Sequence, residues 1–146
     1  MAIRFYKVND EYGYFSNFSR HGFELDGKYW MTSEHYFQAQ KFIGTEYEEQ
    51  VRMLSTPMEA ANRGRDRSKP LRVDWEEVKD DIMRRAVLEK FKANSDVREI
   101  LLSTGDMEII EETTTDYYWG CGEDRTGKNM LGKILMETRD TLRNLK

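Results

Sequence analysis

The sequence predicts a helix-rich α+β domain with about six helices and a few short antiparallel strands. Three observations predict it. Ser/Thr-x-x-Glu capping signals recur before apolar stretches. The C-terminal segment carries apolar residues at strict helical spacing. Strand signals are few and short, and they lack the alternating βαβ rhythm of a doubly wound sheet.

Residues 3–8 read as a short strand. Phe23 to Trp30 alternates around Asp26-Gly27, a pair that favours a two-residue hairpin turn. Thr32 or Ser33 caps a helix that runs to about Ile43. Thr45 with Glu48 caps a second helix. Thr56-Pro57-Met58-Glu59 caps a third, with proline at the first helical position. A long helix follows over 75–93 and stops near Asn94. A short one spans 96–104, closed by Gly105. Met107 to Glu112 reads as a second-sheet or edge strand. The last helix starts near Lys128 and carries Leu131, Ile134, Leu135, Thr138, Leu142 and Leu145 on one face.

The 146 residues fit a single domain, 1–146, with no internal repeat or linker. Charged residues make up 34% with both signs mixed, beside three Trp, eight Tyr and seven Phe, which marks a folded chain. A net charge of −4 excludes a general nucleic-acid binder, so any such contact must come from a local patch. Cys121 is the single cysteine and cannot form an internal disulfide, which favours a reducing, cytoplasmic setting. Two His and one Cys are too few for a zinc site, so no metal is expected. No apolar run approaches membrane-spanning length, and the first six residues lack a signal-peptide apolar region. No obligate protein partner is indicated.

Four stretches carry candidate chemistry. In Glu34 to Phe42, a turn of about 100° per residue puts Glu34, Gln38 and Lys41 on one helix face. His35, Tyr36, Ala39, Phe42 and Ile43 lie opposite and should pack. A carboxylate and an amine held together suit acid–base or Schiff-base work, though such pairs also decorate solvated helix faces. Trp119 to Asn129 brings glycines before a helix. Gly122 to Lys128 fits the start of a phosphate-binding G-x-x-x-x-G-K loop, but Asn129 stands where Ser or Thr should hold magnesium. That excludes a nucleotide triphosphatase; backbone N–H groups of such a loop still suit an anion. Arg63 to Arg72 sets five cations around Asp66 and is the one strongly basic stretch, a phosphate lure or a solvated turn. Asp116-Tyr117-Tyr118-Trp119-Gly120 reads either as a carboxylate beside flat rings that suit a base or as core aromatics with Asp116 as a turn residue, and Tyr14 to Phe18, with Asn17, as a buried turn or a similar aromatic lip. His21 and His35 read as structural.

Together these segments resemble the NADAR family. The resemblance rests on Tyr12-Gly13 to Phe18, Asp26-Gly27-Lys28 to Phe42, Pro57-Met58 to Arg72 with Trp75, Lys90-Phe91, Leu101-Leu102, and Tyr118-Trp119-Gly120 on to Asn129, Gly132 and Arg139. Ser33 to Phe42 is the most specific stretch. The resemblance implies an N-glycosidase that cleaves the ribosylamino bond of early riboflavin-pathway intermediates and releases ribose 5-phosphate. It implies functional roles for Glu34 and Lys41. The alternatives are removal of ADP-ribose from guanine in nucleic acid, with ADP-ribosylated DNA as partner, and a non-catalytic module that binds ADP-ribose. The chain departs from the family's pattern mainly at Cys121, Glu123 and Asp124.

The expected reaction takes a small phosphorylated N-riboside and needs water but no cofactor. Glu34 or Asp116 would stabilise an oxocarbenium-like transition state and activate water. In a second route Lys41 attacks C1′ of the ring-opened sugar and Glu34 shuttles protons, which requires a lowered lysine pKa in a poorly solvated pocket. A nearby carboxylate opposes that shift. Trp119 with Tyr117 or Phe18 would hold the base, and Asn129 a sugar hydroxyl or the water. The loop from Gly120 to Asn129, with Arg63, Arg65 or Arg67, would take phosphate.

Overall fold

In the computed structural model, Asp26 and Gly27 both take left-handed φ (56° and 77°), the backbone a two-residue hairpin turn needs. They join β2 (Phe23–Leu25) to β3 (Lys28–Trp30) in antiparallel register. The structure describes residues 2–145. Its described residues form six α-helices and four short strands, in two units: Met1–Ser19 with Asn94–Lys146, and Arg20–Ala93.

The Arg20–Ala93 unit is built around α1 (Ser33–Gln40), flanked by α2 (Glu46–Arg52), α3 (Pro57–Gly64) and α4 (Trp75–Ala93). Each short helix starts where the capping signal stands. Thr32, Thr45 and Thr56 accept from His35 N, Tyr47 N and Glu59 N. All eight residues of α1 are buried. The core holds Phe23, Trp30, Tyr36, Phe42 and Phe91, with Trp30 edge-on to Tyr36 at 5.0 Å. His35 is structural: Nδ1 lies 2.7 Å from Thr32 Oγ1 and Nε2 2.9 Å from Leu54 O. Burial holds its pKa below the ordinary value, so the ring is neutral at physiological pH.

In the other unit, β1 (Ala2–Phe5) pairs with β4 (Glu108–Glu111), and α6 (Met130–Arg143) lies against β4. Gly132 permits that approach: a Cβ there would sit 2.1 Å from Ile109 O. α5 (Ser95–Ser103) packs beside α6. Buried Arg139 donates to Thr104 Oγ1 (2.9 Å) and Met107 O (2.8 Å), tying α6 to the segment after α5.

Four expectations are corrected. β1 and β4 pair in parallel, whereas only antiparallel strands were expected; parallel partners share no turn, so no local signal announces them. β1 ends at Phe5 because the chain turns at once, with Asp10 N donating to Lys7 O. α1 is buried on every face, and Ile43 is exposed because the helix ends at Gln40. The last helix begins at Met130 and ends at Arg143, leaving Leu145 exposed. Among the described residues, no helix is long and apolar enough to cross a membrane.

Candidate active site

Glu34 and Gln38 stand one turn apart on α1, and both are buried, at 8% and 5% exposure. Gln38 Nε2 donates to Glu34 Oε2 at 2.7 Å, a charge-assisted hydrogen bond inside the protein. Glu34 sits in the first turn of α1, where the helix dipole favours a negative charge. Gln38 Oε1 has no hydrogen-bond partner and lies against Gly64, the last residue of α3. Within the protein this acceptor is unmet, while the other end of the same amide holds the Glu34 carboxylate.

Lys41 caps the C-terminal end of α1 and is half-buried. Its Nζ lies 5.7 Å from the Phe37 ring centre and 5.5 Å from that of Trp75, and the two rings meet edge-on at 5.0 Å. It donates to Gly64 O at 3.4 Å, one of the carbonyls a helix end leaves unpaired. Burial pushes the amine down from its ordinary 10.5 to about 8. Arg67 and Arg65 push the same way, and Glu34 and Glu76 oppose them. Part of the Lys41 population is therefore neutral near physiological pH. Desolvation outweighs the pull of the carboxylate.

The basic stretch divides. Exposed Arg67 donates through Nη2 to Gly64 O, the acceptor that Lys41 uses. Arg65 is exposed at the end of α3, with a long contact to Asn62. Arg63 turns away to Gln50 Oε1 at 3.2 Å. Arg72 donates from its backbone to Lys41 O (2.9 Å) and from Nη1 to Gln40 O (3.4 Å), which fixes the end of α1. The structure thus brings Glu34, Lys41, Arg65 and Arg67 together, and Arg63 diverges from them. A cavity of about 490 Å³ in this unit lies over Ile43, Val78 and Ile82 and is lined by none of those four. Its arginines are already paired, Arg85 with Asp26 and Arg72 with Asp74.

Asn17, Phe18, Asp116, Trp119, Gly120 and Asn129 belong to the other unit. Asn17 and Phe18 are half-buried in a turn where Phe18 N donates to Ser16 Oγ. Asp116 Oδ1 accepts from Tyr118 N (3.0 Å) and Trp119 N (2.8 Å), closing an Asx turn. Tyr118 and Trp119 meet edge-on at 4.9 Å, and Tyr117 lies over Gly122. Asn129 takes a left-handed φ of 54° and bridges to β4: Oδ1 accepts from Glu111 N and Nδ2 donates to Ile109 O, both at 2.9 Å. Where the loop runs into α6, the N–H groups expected for phosphate are occupied. Lys128, Asn129, Met130 and Leu131 donate their N–H groups to Tyr117, Gly120, Tyr118 and Trp119, so these donors are already satisfied. Gly120 is buried, and its missing Cβ leaves room for Thr113 Cγ2. Cys121 is buried, and Asp124 caps its own turn through Thr126.

Sequence reasoning gave no role to Gln38, Phe37, Trp75 or Gly64. The four-residue step from Glu34 to Gln38 was visible; the packing of Gly64 on Gln38 was not. It also missed Lys90, fully buried on α4 and pushed by burial down to about 7.

A family model described as the NADAR domain matches residues 4–143, through both units. The Escherichia coli protein named N-glycosidase YbiA is 51% identical over 140 residues, covering 96% of this chain and 88% of that one. The NMR structure of the E. coli protein superposes with a TM-score of 0.90 at 50% identity, covering 98% of this chain and 85% of that chain. An N-glycosidase of Nostoc punctiforme is 50% identical over 148 residues, covering 99% of this chain and 95% of its own. The chloroplastic riboflavin biosynthesis protein PYRR of Zea mays is 38% identical over 155 residues, covering 96% of this chain and 25% of that longer protein.

Proposed function

The chain belongs to the NADAR family, and we propose that it is an N-glycosidase that hydrolyses the C1′–N bond of ribosylated amines, with early riboflavin-pathway ribosylaminopyrimidine 5′-phosphates as substrates. The observation that carries this reading is the pairing on α1 of a buried carboxylate, Glu34, with an amine, Lys41, lowered to about 8. The names of the relatives support the reaction class and the pathway. The family's span from 4 to 143 supports treating the chain as one functional domain. The single buried cysteine fits a cytoplasmic setting.

The neutral fraction of Lys41 attacks C1′ of the ring-opened sugar. Nζ adds to C1′ of the open-chain imine, the Glu34 carboxylate takes each proton that Nζ sheds and delivers it to the substrate nitrogen, and the C1′–N bond breaks to release the free amine with Lys41 left as an imine to the sugar. Water adds to the resulting imine, the sugar departs as its aldehyde, and Lys41 is regenerated. Water is the only co-substrate. Exposed Arg65 and Arg67 receive the 5′-phosphate beside the amine. In that role the phosphate offsets the two charges that help to depress Lys41, so the amine must react before it takes up a proton. Asp116 and Asn129, which already bind backbone, hold the aromatic loop.

Those same exposed arginines favour a second reading, removal of ADP-ribose from guanine, in which they meet a nucleic-acid backbone. One experiment separates the readings. The protein is incubated with the ribosylaminopyrimidine 5′-phosphate and, separately, with an ADP-ribosylated guanine oligonucleotide, each with sodium borohydride. Mass spectrometry is expected to find pyrimidine, ribose 5-phosphate and a reduced sugar adduct on Lys41. Release from the oligonucleotide alone would move the assignment to the second reading. Release from neither, with tight ADP-ribose binding, would make the chain a binding module.

A further inference from the structure

We propose that Gly64 and Gln38 form a positioning device for the Glu34–Lys41 pair, with Gly64 as the point on which Glu34, Lys41 and Arg67 are registered. The proposal rests on the N-glycosidase reading above and assigns roles within it.

Gly64 acts through two of its atoms. Its carbonyl oxygen accepts from both Lys41 Nζ and Arg67 Nη2. On its other side Gln38 Oε1 occupies the space a side chain would fill: an added Cβ would lie 1.9 Å from Oε1 and 2.6 Å from Cδ. The Glu34 carboxylate decides which end of the Gln38 amide faces it, and the bare Gly64 leaves room for the other end. With Oε1 against Gly64, Nε2 points at Glu34 and donates at 2.7 Å. The reverse orientation would set two oxygens against each other at that distance. Glu34 is therefore fixed through Gln38, and Lys41 and Arg67 directly, by a single backbone unit.

The glycine is not there for its backbone. Gly64 is the last residue of α3, and its φ is not in the left-handed region that favours glycine at helix ends. Its missing Cβ is explained by the Gln38 side chain that needs its space. The unmet Gln38 Oε1 has the same explanation, since it is the cost of holding Nε2 on the carboxylate.

The test uses Gly64→Ala, Gln38→Ala, Gln38→Met and the Gly64→Ala/Gln38→Ala double variant, with Glu34→Gln as control. Turnover of the ribosylaminopyrimidine 5′-phosphate and thermal unfolding are measured for each. Gly64→Ala is expected to lower kcat about 10- to 100-fold, the loss typical when a group that orients a reactive residue is displaced. KM should stay nearly unchanged, and the melting temperature should fall modestly as the buried Gln38 amide is displaced, with cooperative unfolding retained. Gln38→Met keeps the packing but cannot donate, and kcat should fall by a similar factor. In the Gln38→Ala background the Gly64→Ala change should add nothing, because no amide remains to be displaced. Wild-type kcat in Gly64→Ala or Gln38→Met, with Glu34→Gln inactive, would overturn the positioning device and leave the N-glycosidase reading standing. Independent, multiplying losses would overturn it too. Full activity in Glu34→Gln would instead sink the reading on which it rests.

Discussion

Glu34 and Asp116 are carboxylates that each precede a run of aromatic residues, one in each unit, and they are used differently. Asp116 accepts two backbone N–H groups and closes a turn. Glu34 accepts from the Gln38 side chain, which lies one turn before a lysine that burial has made partly neutral. The same contrast separates Asn129 from Gln38. Both Asn129 amide ends hold strand β4, whereas Gln38 leaves one end unpaired. A carboxylate that closes a turn by accepting backbone N–H groups cannot take up a proton without weakening the turn. One that accepts from a neighbouring side chain can gain and lose a proton with less rearrangement.

The sharpest way to break this contrast is to neutralise one member of each pair. Glu34→Gln and Lys41→Ala are expected to lower turnover by about 10²- to 10⁴-fold, the range for losing an acid–base group or more. Asp116→Asn keeps an acceptor for Tyr118 N and Trp119 N and should lose far less. Steady-state release of the pyrimidine, followed for all three, decides it. Equal losses in Asp116→Asn and Glu34→Gln would restore Asp116 as a candidate for the leading carboxylate.

The stability counterpart is Asn129→Ala. It removes two hydrogen bonds to β4 and leaves alanine in a left-handed conformation. A cost of about 2–4 kcal/mol is expected in denaturant unfolding. Asn129→Gly, which tolerates that backbone, should cost less. Equal costs would mean that the hydrogen bonds carry the whole effect.

Much of this contrast was half-legible in the sequence. The caps at Thr32, Thr45 and Thr56 and the Asp26-Gly27 turn are local, and local chemistry announces itself. So does the spacing that sets Glu34, Gln38 and Lys41 on one face. The sequence does not show that this face is buried, because whether a polar helix face meets water depends on what packs on it. Nor does it show that the N–H groups of residues 128–131 are satisfied by residues 117–120, which is a matter of how the loop closes. The parallel β1–β4 pair is hidden for the same reason: its strands are a hundred residues apart and share no turn.

A smaller effect sharpens the electrostatics. Arg67 is the leading charge that depresses Lys41, after burial itself. Removing it in Arg67→Ala should let the lysine pKa rise towards its ordinary value. If neutral Lys41 is the nucleophile, kcat/KM rises with pH through about 8 in the wild type, and that limb should move to higher pH in the variant. A limb that stays in place would show that it belongs to another group.

The smallest expected effect is on stability, and its sign is the test. The pKa of Lys41 in the folded chain, about 8, lies below its ordinary 10.5. Below pH 8 both the folded and unfolded chains carry the proton, and the folded one bears the full cost of burying it. Between about 8 and 10.5 the unfolded chain holds the proton and the folded chain does not, so stability rises with pH across that window. Lys41→Met keeps the stem and removes the charge. The variant should therefore melt higher than the wild type at pH 7, and the gap should close as the pH approaches 10.5. Lys90 shifts in the same direction but is present in both proteins, so the difference between them isolates Lys41. A variant that melts lower at pH 7 would mean that the Gly64 carbonyl and the Phe37 and Trp75 rings stabilise the ammonium more than burial opposes it. Lys41 would then be an anchored cation that receives phosphate, and the nucleophile would have to be water.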